Sequence, residues 1–189
     1  RGAKGRTQEI ERLVARSLRA AVNLEELGPI ALNVDCDILN ADGGTRCASI
    51  TAANLALRLG VRRLIASGVC LPQNMRPTEE QRRSGWSAPV LSKEDKMTHE
   101  MRVMPNDVAA ISVGLIDGQA YLDLDYNLDS NADVDMNVVK VSSGAFVEVQ
   151  GTGEESTYQR EELDALLDMA DIGFSSLFEM QKSILAGQE

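Results

Sequence analysis

Apolar and polar residues recur with two different periods along this chain, and the switches between them mark its elements. Over residues 7–26, Ile10, Leu13, Val14, Leu18, Ala21 and Val22 fall at helical spacing, which predicts an amphipathic helix. Thr7 is placed to cap it, Arg12, Arg16 and Arg19 lie off the apolar stripe, and Gly28-Pro29 ends it. Residues 30–39 change to a period of two. Ile30, Leu32, Val34, Cys36 and Ile38 face one way and Asn33, Asp35 and Asp37 the other, the pattern of a half-buried strand. Asp42-Gly43-Gly44 then turns the chain into a helix from about Thr45 to Leu59.

Residues 66–104 lose this regularity. They are polar and charged, carry Pro72, Pro77 and Pro89, and hold the lone His99 and the lone Trp86. So long an aperiodic connection is uncommon inside a compact domain. It predicts an inserted, partly disordered loop with a short helix near 92–103. Periodicity returns at Val108–Ile116, an apolar strand, followed by the hairpin signal Asp117-Gly118 and a partner strand Ala120–Asp125. Val138–Val141 and Ala145–Gln150 predict a second hairpin around Ser143-Gly144, and Gly151–Thr157 a flexible link. Two helices close the chain, near 159–170 and 172–186, with Leu163, Leu166, Leu167, Phe174, Leu177, Phe178 and Met180 on their buried faces. Hairpin strands with helices segregated to one side predict an α+β sandwich, and 189 residues suit one domain spanning 1–189.

Hydrophobic content of 43% supports a globular core, and no apolar run is long enough to span a membrane. No signal peptide is visible, since residues 1–20 are polar, basic and helix-patterned. Cys36, Cys47 and Cys70 have no metal-ligand spacing and read as reduced thiols, which predicts a reducing compartment, the cytoplasm. The net charge of −10 argues against a simple basic nucleic-acid binder. Its distribution changes the picture. Residues 1–20 carry six basic side chains against two acidic ones, a local +4, and most of the acid lies after residue 105. An RNA-binding surface must therefore be local, or come from another subunit or segment.

The candidate chemistry sits in two places. Asp123, Asp125, Asp129, Asp133 and Asp135 fall within thirteen residues. Such crowded carboxylates either wait for a hard cation or form a solvated acidic loop. Asp129 and Asp135, six positions apart, flank a turn that can fold both carboxylates toward one point. Asp123 and Asp125 would share a strand face by period two, and Asp133 carries no independent signal. The second place is Ala41-Asp-Gly-Gly-Thr-Arg46. Glycines followed by an arginine at a helix N-terminus can cradle an oxyanion, or can be an ordinary β-turn with a surface arginine. Arg6, just before the first helix, carries the same two readings. His99 has no evident nucleophile partner, and there is neither a Walker A motif nor a dinucleotide fingerprint.

Several stretches together resemble one family. They are Gly5-Arg6-Thr7-Gln8-Glu9-Ile10-Glu11-Arg12-Leu13, Ala41–Arg46 with Ala48-Ser49-Ile50-Thr51, Asp129-Ser130 through Asp135-Met136-Asn137-Val138-Val139, Val147–Thr152, and Arg160-Glu161-Glu162-Leu163. In this order they closely resemble the RNase PH family and cover nearly all of the chain outside 66–104. The resemblance implies a two-layer α/β sandwich of the RNase PH type, a fold shared with a ribosomal-protein domain and GHMP kinases. It also implies a preceding segment that supplies the first strands of the sheet and basic RNA-contacting loops. By the same resemblance the activity is phosphate-dependent 3′→5′ exoribonuclease action on tRNA precursors and other RNAs, releasing nucleoside diphosphates. Arg6, Gly44, Thr45 and Arg46 would hold inorganic phosphate, and Asp129 and Asp135 would be catalytic and bind Mg²⁺. The assembly implied is a homo-hexamer, a trimer of dimers. Two other readings stand beside it. One is a non-catalytic, exosome-like ring subunit that threads RNA. The other is a small-molecule kinase of a related sandwich fold, disfavoured by the lack of a longer phosphate-binding glycine loop.

Overall fold

The fold was obtained as a computed structural model that describes residues 2–153 and 156–188, with the side chains of residues 2–4 and 6 outside the description. The chain opens with α1 (Gly2–Ala21) and the single-turn α2 (Leu24–Leu27). The helix expected over 7–26 is thus interrupted. Asn23 accepts hydrogen bonds from the N–H groups of Glu25 and Glu26, so its side chain caps a new turn in place of continuing the old one. Thr7, expected as a cap, lies inside α1. Leu13, Leu18 and Ala21 are the buried face of that helix.

The strand expected over 30–39 is not formed: residues 30–38 carry no strand pairing. A strand exists only as part of a ladder, and the sheet of the described residues, in the order β2-β1-β3-β4, gives this segment no neighbour. Its alternation survives in another form. Ile30, Leu32, Val34, Cys36 and Ile38 all line an open groove of about 700 Å³ against α1. The chain then enters α3 (Thr45–Ala66), a 22-residue helix longer than expected.

Residues 66–104, anticipated as an inserted loop, carry a 3₁₀ turn (Gln73–Met75), α4 (Glu79–Arg83) and α5 (Lys93–Val103). Ser92 caps α5 by accepting from the Asp95 N–H at 3.0 Å, which places the helix where the sequence expected one. Cys70, Leu71, Leu91, Val103 and Met104 from this segment are buried in the core beside α1 and α3.

The sheet is antiparallel throughout. β1 (Val108–Ile116) turns through Asp117 (φ 51°) and Gly118 (φ 75°) into β2 (Gln119–Leu122), two left-handed residues matching a tight hairpin. The single-turn α6 (Tyr126–Asp129) leads to β3 (Val134–Val141), which pairs with β1 and, after the second hairpin, with β4 (Phe146–Gly153). β4 thus takes up the first part of the stretch expected as a flexible link.

Successive residues of β1 point to opposite faces, and each face has its own cluster. Val108 and Ala110 pack with α1, α3 and α5. Ala109, Ile111, Val113 and Leu115 pack with Leu166, Ala170 and Phe174 of α7 (Arg160–Ala186). The architecture is the expected α+β sandwich, but the helices are not segregated to one side: they cover both faces of this sheet, because β1 and β3 are apolar on both. α7 is one continuous helix where two were expected. Gly173, near the expected break, is the point of closest approach to the sheet: a Cβ there would sit 2.1 Å from Ile111 Cδ1. Packing outweighs glycine's poor helix propensity of about 1 kcal/mol.

Candidate functional site

The glycine turn owes its shape to steric limits. A Cβ on Gly43 would lie 1.9 Å from the Leu124 carbonyl oxygen, so only glycine lets the two backbones meet. Gly44 adopts φ 67°, in the left-handed region, and is the N-cap of α3 with no side-chain hydrogen bond of its own. The first turn of α3 holds no acidic residue. A long helix therefore begins with its positive end uncompensated by a cap or a carboxylate of its own. The Thr45 hydroxyl donates to the Asp42 carbonyl at 2.8 Å, closing the turn. Arg46, partly exposed, lies 3.7 Å from Glu9 of α1.

Beneath this turn is a polar patch on the sheet. Asp135 of β3 sits opposite Gly114 of β1 and Thr152 of β4, half-buried, and it has an interaction partner. Asn137, two residues on, shares its face and is the cross-strand partner of Ser112. Both meet the start of α3. The Cys47 thiol donates to Asn137 Oδ1 at 3.0 Å, and Ser112 Oγ would be 3.1 Å from a Cβ on Gly44. The buried Ser112 hydroxyl has no hydrogen-bond partner.

Electrostatics ties the two halves together. Burial pushes the Cys47 thiol up to about 12, the charges of Asp135 and then Asp123 push the same way, and Arg46 opposes them. Arg46 and Asp135 therefore act on one buried atom, across the junction of α3 and β3.

Asp129 is the last residue of α6, half-buried. Asp125 caps that turn by accepting from the Leu128 N–H at 2.8 Å. Asp42 holds it to the glycine turn: its Oδ1 accepts from Gly43 N–H at 2.9 Å and Tyr126 N–H at 2.6 Å. Asp123 and Asp125 do not share a strand face as expected, because β2 ends at Leu122. Asp123 turns left-handed at φ 54° and donates its N–H to the Ser112 carbonyl, which brings it beside Gly44. Asp133 accepts from the Asp117 N–H and serves the hairpin. The side chain of Arg6 lies outside the described residues. Sequence reasoning gave no role to Cys47, Asn137, Ser112 or Asp42 in this neighbourhood, although Asp42 and Asn137 lie within the motifs it singled out.

Among the described residues, no group of three or more histidine, cysteine, aspartate or glutamate side chains closes on one point. Mg²⁺ that keeps its waters and takes substrate phosphate oxygens needs only one or two carboxylates; the two that the sequence named for it are Asp129, at the end of α6, and Asp135, on β3. His99 is remote from this chemistry. It is buried between Cys70, 3.5 Å from its Nε2, and Glu26, 3.9 Å from its Nδ1.

Sequence models of the 3′ exoribonuclease family match residues 1–60 (domain 1) and 107–173 (domain 2). The chain is 47% identical over 182 residues to ribonuclease PH of Corynebacterium efficiens, covering 96% of this chain and 62% of that protein. It is 44% identical over 178 residues to ribonuclease PH of a Synechococcus species, covering 94% and 60%. It thus spans about three fifths of the length of the curated relatives it matches. The crystal structure of rice (Oryza sativa) Rrp46 superposes with a TM-score of 0.59 at 12% identity, over 96% of this chain and 66% of that one, a likeness of fold alone. With both domain models matched in order and the relatives aligned across nearly all of its residues, the chain belongs to the 3′ exoribonuclease (RNase PH) family.

Proposed function

We propose that this chain carries the reacting centre of a phosphate-dependent 3′→5′ exoribonuclease, which trims tRNA precursors and other RNAs and releases nucleoside diphosphates. The observation that carries the reading is the 3.0 Å contact of Cys47 with Asn137, which sets the first turn of α3, with Arg46, over the strand that carries Asp135. Orthophosphate is an anion, and so is the phosphodiester it must attack. Catalysis here consists largely of holding two like charges together and in line. The open N-terminus of α3 at Gly44-Thr45 and the Arg46 guanidinium, with Arg6 added by family resemblance, would hold the attacking phosphate. Asp129 and Asp135 would hold Mg²⁺, which when bound offsets charge on the scissile group. Because phosphate replaces water, the bond energy is kept in the diphosphate product and the reaction runs in both directions.

RNA, inorganic phosphate and further copies of the chain are the proposed partners, with a hexameric trimer of dimers as the assembly. The exposed Arg12 and Arg19 of α1 supply local positive charge for RNA. The free Cys36, Cys47 and Cys70 suit a reducing compartment such as the cytoplasm, and no described helix is long and apolar enough to cross a membrane. A non-catalytic ring subunit has less support, since it would have no use for the Gly44-Thr45-Arg46 turn beside Asp135. The test is to incubate the full-length protein with a 3′-extended tRNA, with and without phosphate. Nucleoside diphosphates formed only with phosphate are expected. Monophosphates would mean hydrolysis, and no release would favour the scaffold.

A further inference from the structure

The junction between α3 and β3 holds a contact that the proposed chemistry does not itself use. Cys47 directly follows Arg46 in the first turn of α3, and Asn137 follows Asp135 by two residues on β3. Their side chains meet at 3.0 Å, and the residues are only 5% and 7% exposed. A buried amide oxygen needs a donor, and this thiol stays protonated across the neutral range, so it is always able to donate. Farther along, α3 is anchored separately. The Thr51 hydroxyl donates to the Ala110 carbonyl and accepts from the Ala110 N–H on β1. The helix body is thus held to β1, while its first turn is held over β3 through Cys47.

We infer that Cys47 is a positioning residue: its hydrogen bond to Asn137 sets the reach between Arg46, on the helix, and Asp135, on the strand. This rests on the phosphorolytic reading above. The thiol is engaged with Asn137; its part is to fix the spacing of the groups proposed to hold phosphate and metal, and a small misplacement of such groups is costly to rate. A residue that merely fills the core would show a different signature, because serine, which restores a donor but not the apolar bulk of the thiol, would not rescue the rate.

The test uses the full-length protein, with 3′-extended tRNA in excess and phosphate varied. Cys47→Val is expected to lower kcat about tenfold, the scale of one lost orienting hydrogen bond, with the thermal midpoint lowered by a few degrees because the buried Asn137 oxygen loses its donor. Cys47→Ser, which restores a donor, is expected to recover most of the rate. Asn137→Ala should match Cys47→Val, and the double variant should be no slower than either alone. Cys47→Ala replaces the valine variant if valine prevents folding. A wild-type rate in both donor-free variants overturns the inference. So does a serine variant as slow as valine, or a double variant whose losses multiply. Failure of the functional reading looks different: the unsubstituted protein itself would release no nucleoside diphosphate, and the inference would fall with it.

Discussion

Asp42 and Tyr126 stand 84 residues apart in sequence and are joined by a 2.6 Å hydrogen bond, the Tyr126 N–H donating to the Asp42 carboxylate. The same oxygen accepts from Gly43. One side chain thus moors the turn proposed to hold phosphate to the helix that ends in Asp129. Asp42→Ala is expected to cost about 1 kcal/mol, the scale of a net hydrogen bond, and to slow phosphorolysis, while Asp42→Asn keeps an acceptor and most of both. Urea midpoints and rates measured on the two variants check this, and equal behaviour would refute the mooring.

Asp135 is placed by the sheet ladder between Gly114 and Thr152, so its position does not depend on its charge. Asp135→Asn should leave the far-ultraviolet circular dichroism and thermal midpoint nearly unchanged. Phosphorolysis should fall by at least about a hundredfold, the usual scale for loss of an electrostatic group at a reacting centre. Full activity in this variant would remove Asp135 from the chemistry.

Arg46 should act on phosphate more than on RNA. Arg46→Ala is expected to raise the phosphate KM by about tenfold, corresponding to one charge-assisted contact of about 1.4 kcal/mol, with the RNA KM far less affected. Steady-state kinetics with each substrate varied in turn separates the two, and an unchanged phosphate KM counts against the cradle.

Arg58 is a structural charge. It is 4% exposed and donates to Asp107 at 2.7 Å, to Glu100 at 3.2 Å and to the Met104 and Asn106 carbonyls. It joins α3 to α5 and to the entry of β1. Arg58→Met leaves two carboxylates and two carbonyls short of a donor and should cost about 3 kcal/mol. Chemical denaturation reads this directly, and a loss no larger than that of an exposed arginine would contradict the role.

His99 links stability to pH. Burial lowers its pKa below the ordinary 6.5, with Arg76 and Arg102 adding to the shift and Glu26 opposing it. The unfolded chain therefore takes up the proton at a higher pH than the folded one. Stability is full above about 6.5 and is lost as pH falls through the folded-state value. Urea midpoints should drop as pH falls below about 6.5, and His99→Gln should flatten that slope. An identical slope in the variant would assign the pH dependence to other groups.

Much of the site was legible where the constraint is local. Gly43-Gly44 before a helix, Asp117-Gly118 between strands and the alternation of Val108–Ile116 each follow from backbone sterics within a few residues. The family motifs named Gly44, Thr45, Arg46, Asp129 and Asp135. What they left open was the place of Asp123: the alternation puts it on a strand face, yet it bends left-handed beside Gly44 because β2 stops at Leu122.

The amino-acid order alone therefore decided the glycine turns, the apolar faces and the α+β class, since each depends on neighbours along the chain. Only the folded molecule decided that 30–38 has no ladder to join, that α7 runs unbroken over Ile111, and that Cys47 meets Asn137 while Asp42 meets Tyr126. Those outcomes join residues far apart in sequence. Such contacts form only once the whole core has closed around them, so no short stretch of the chain encodes them.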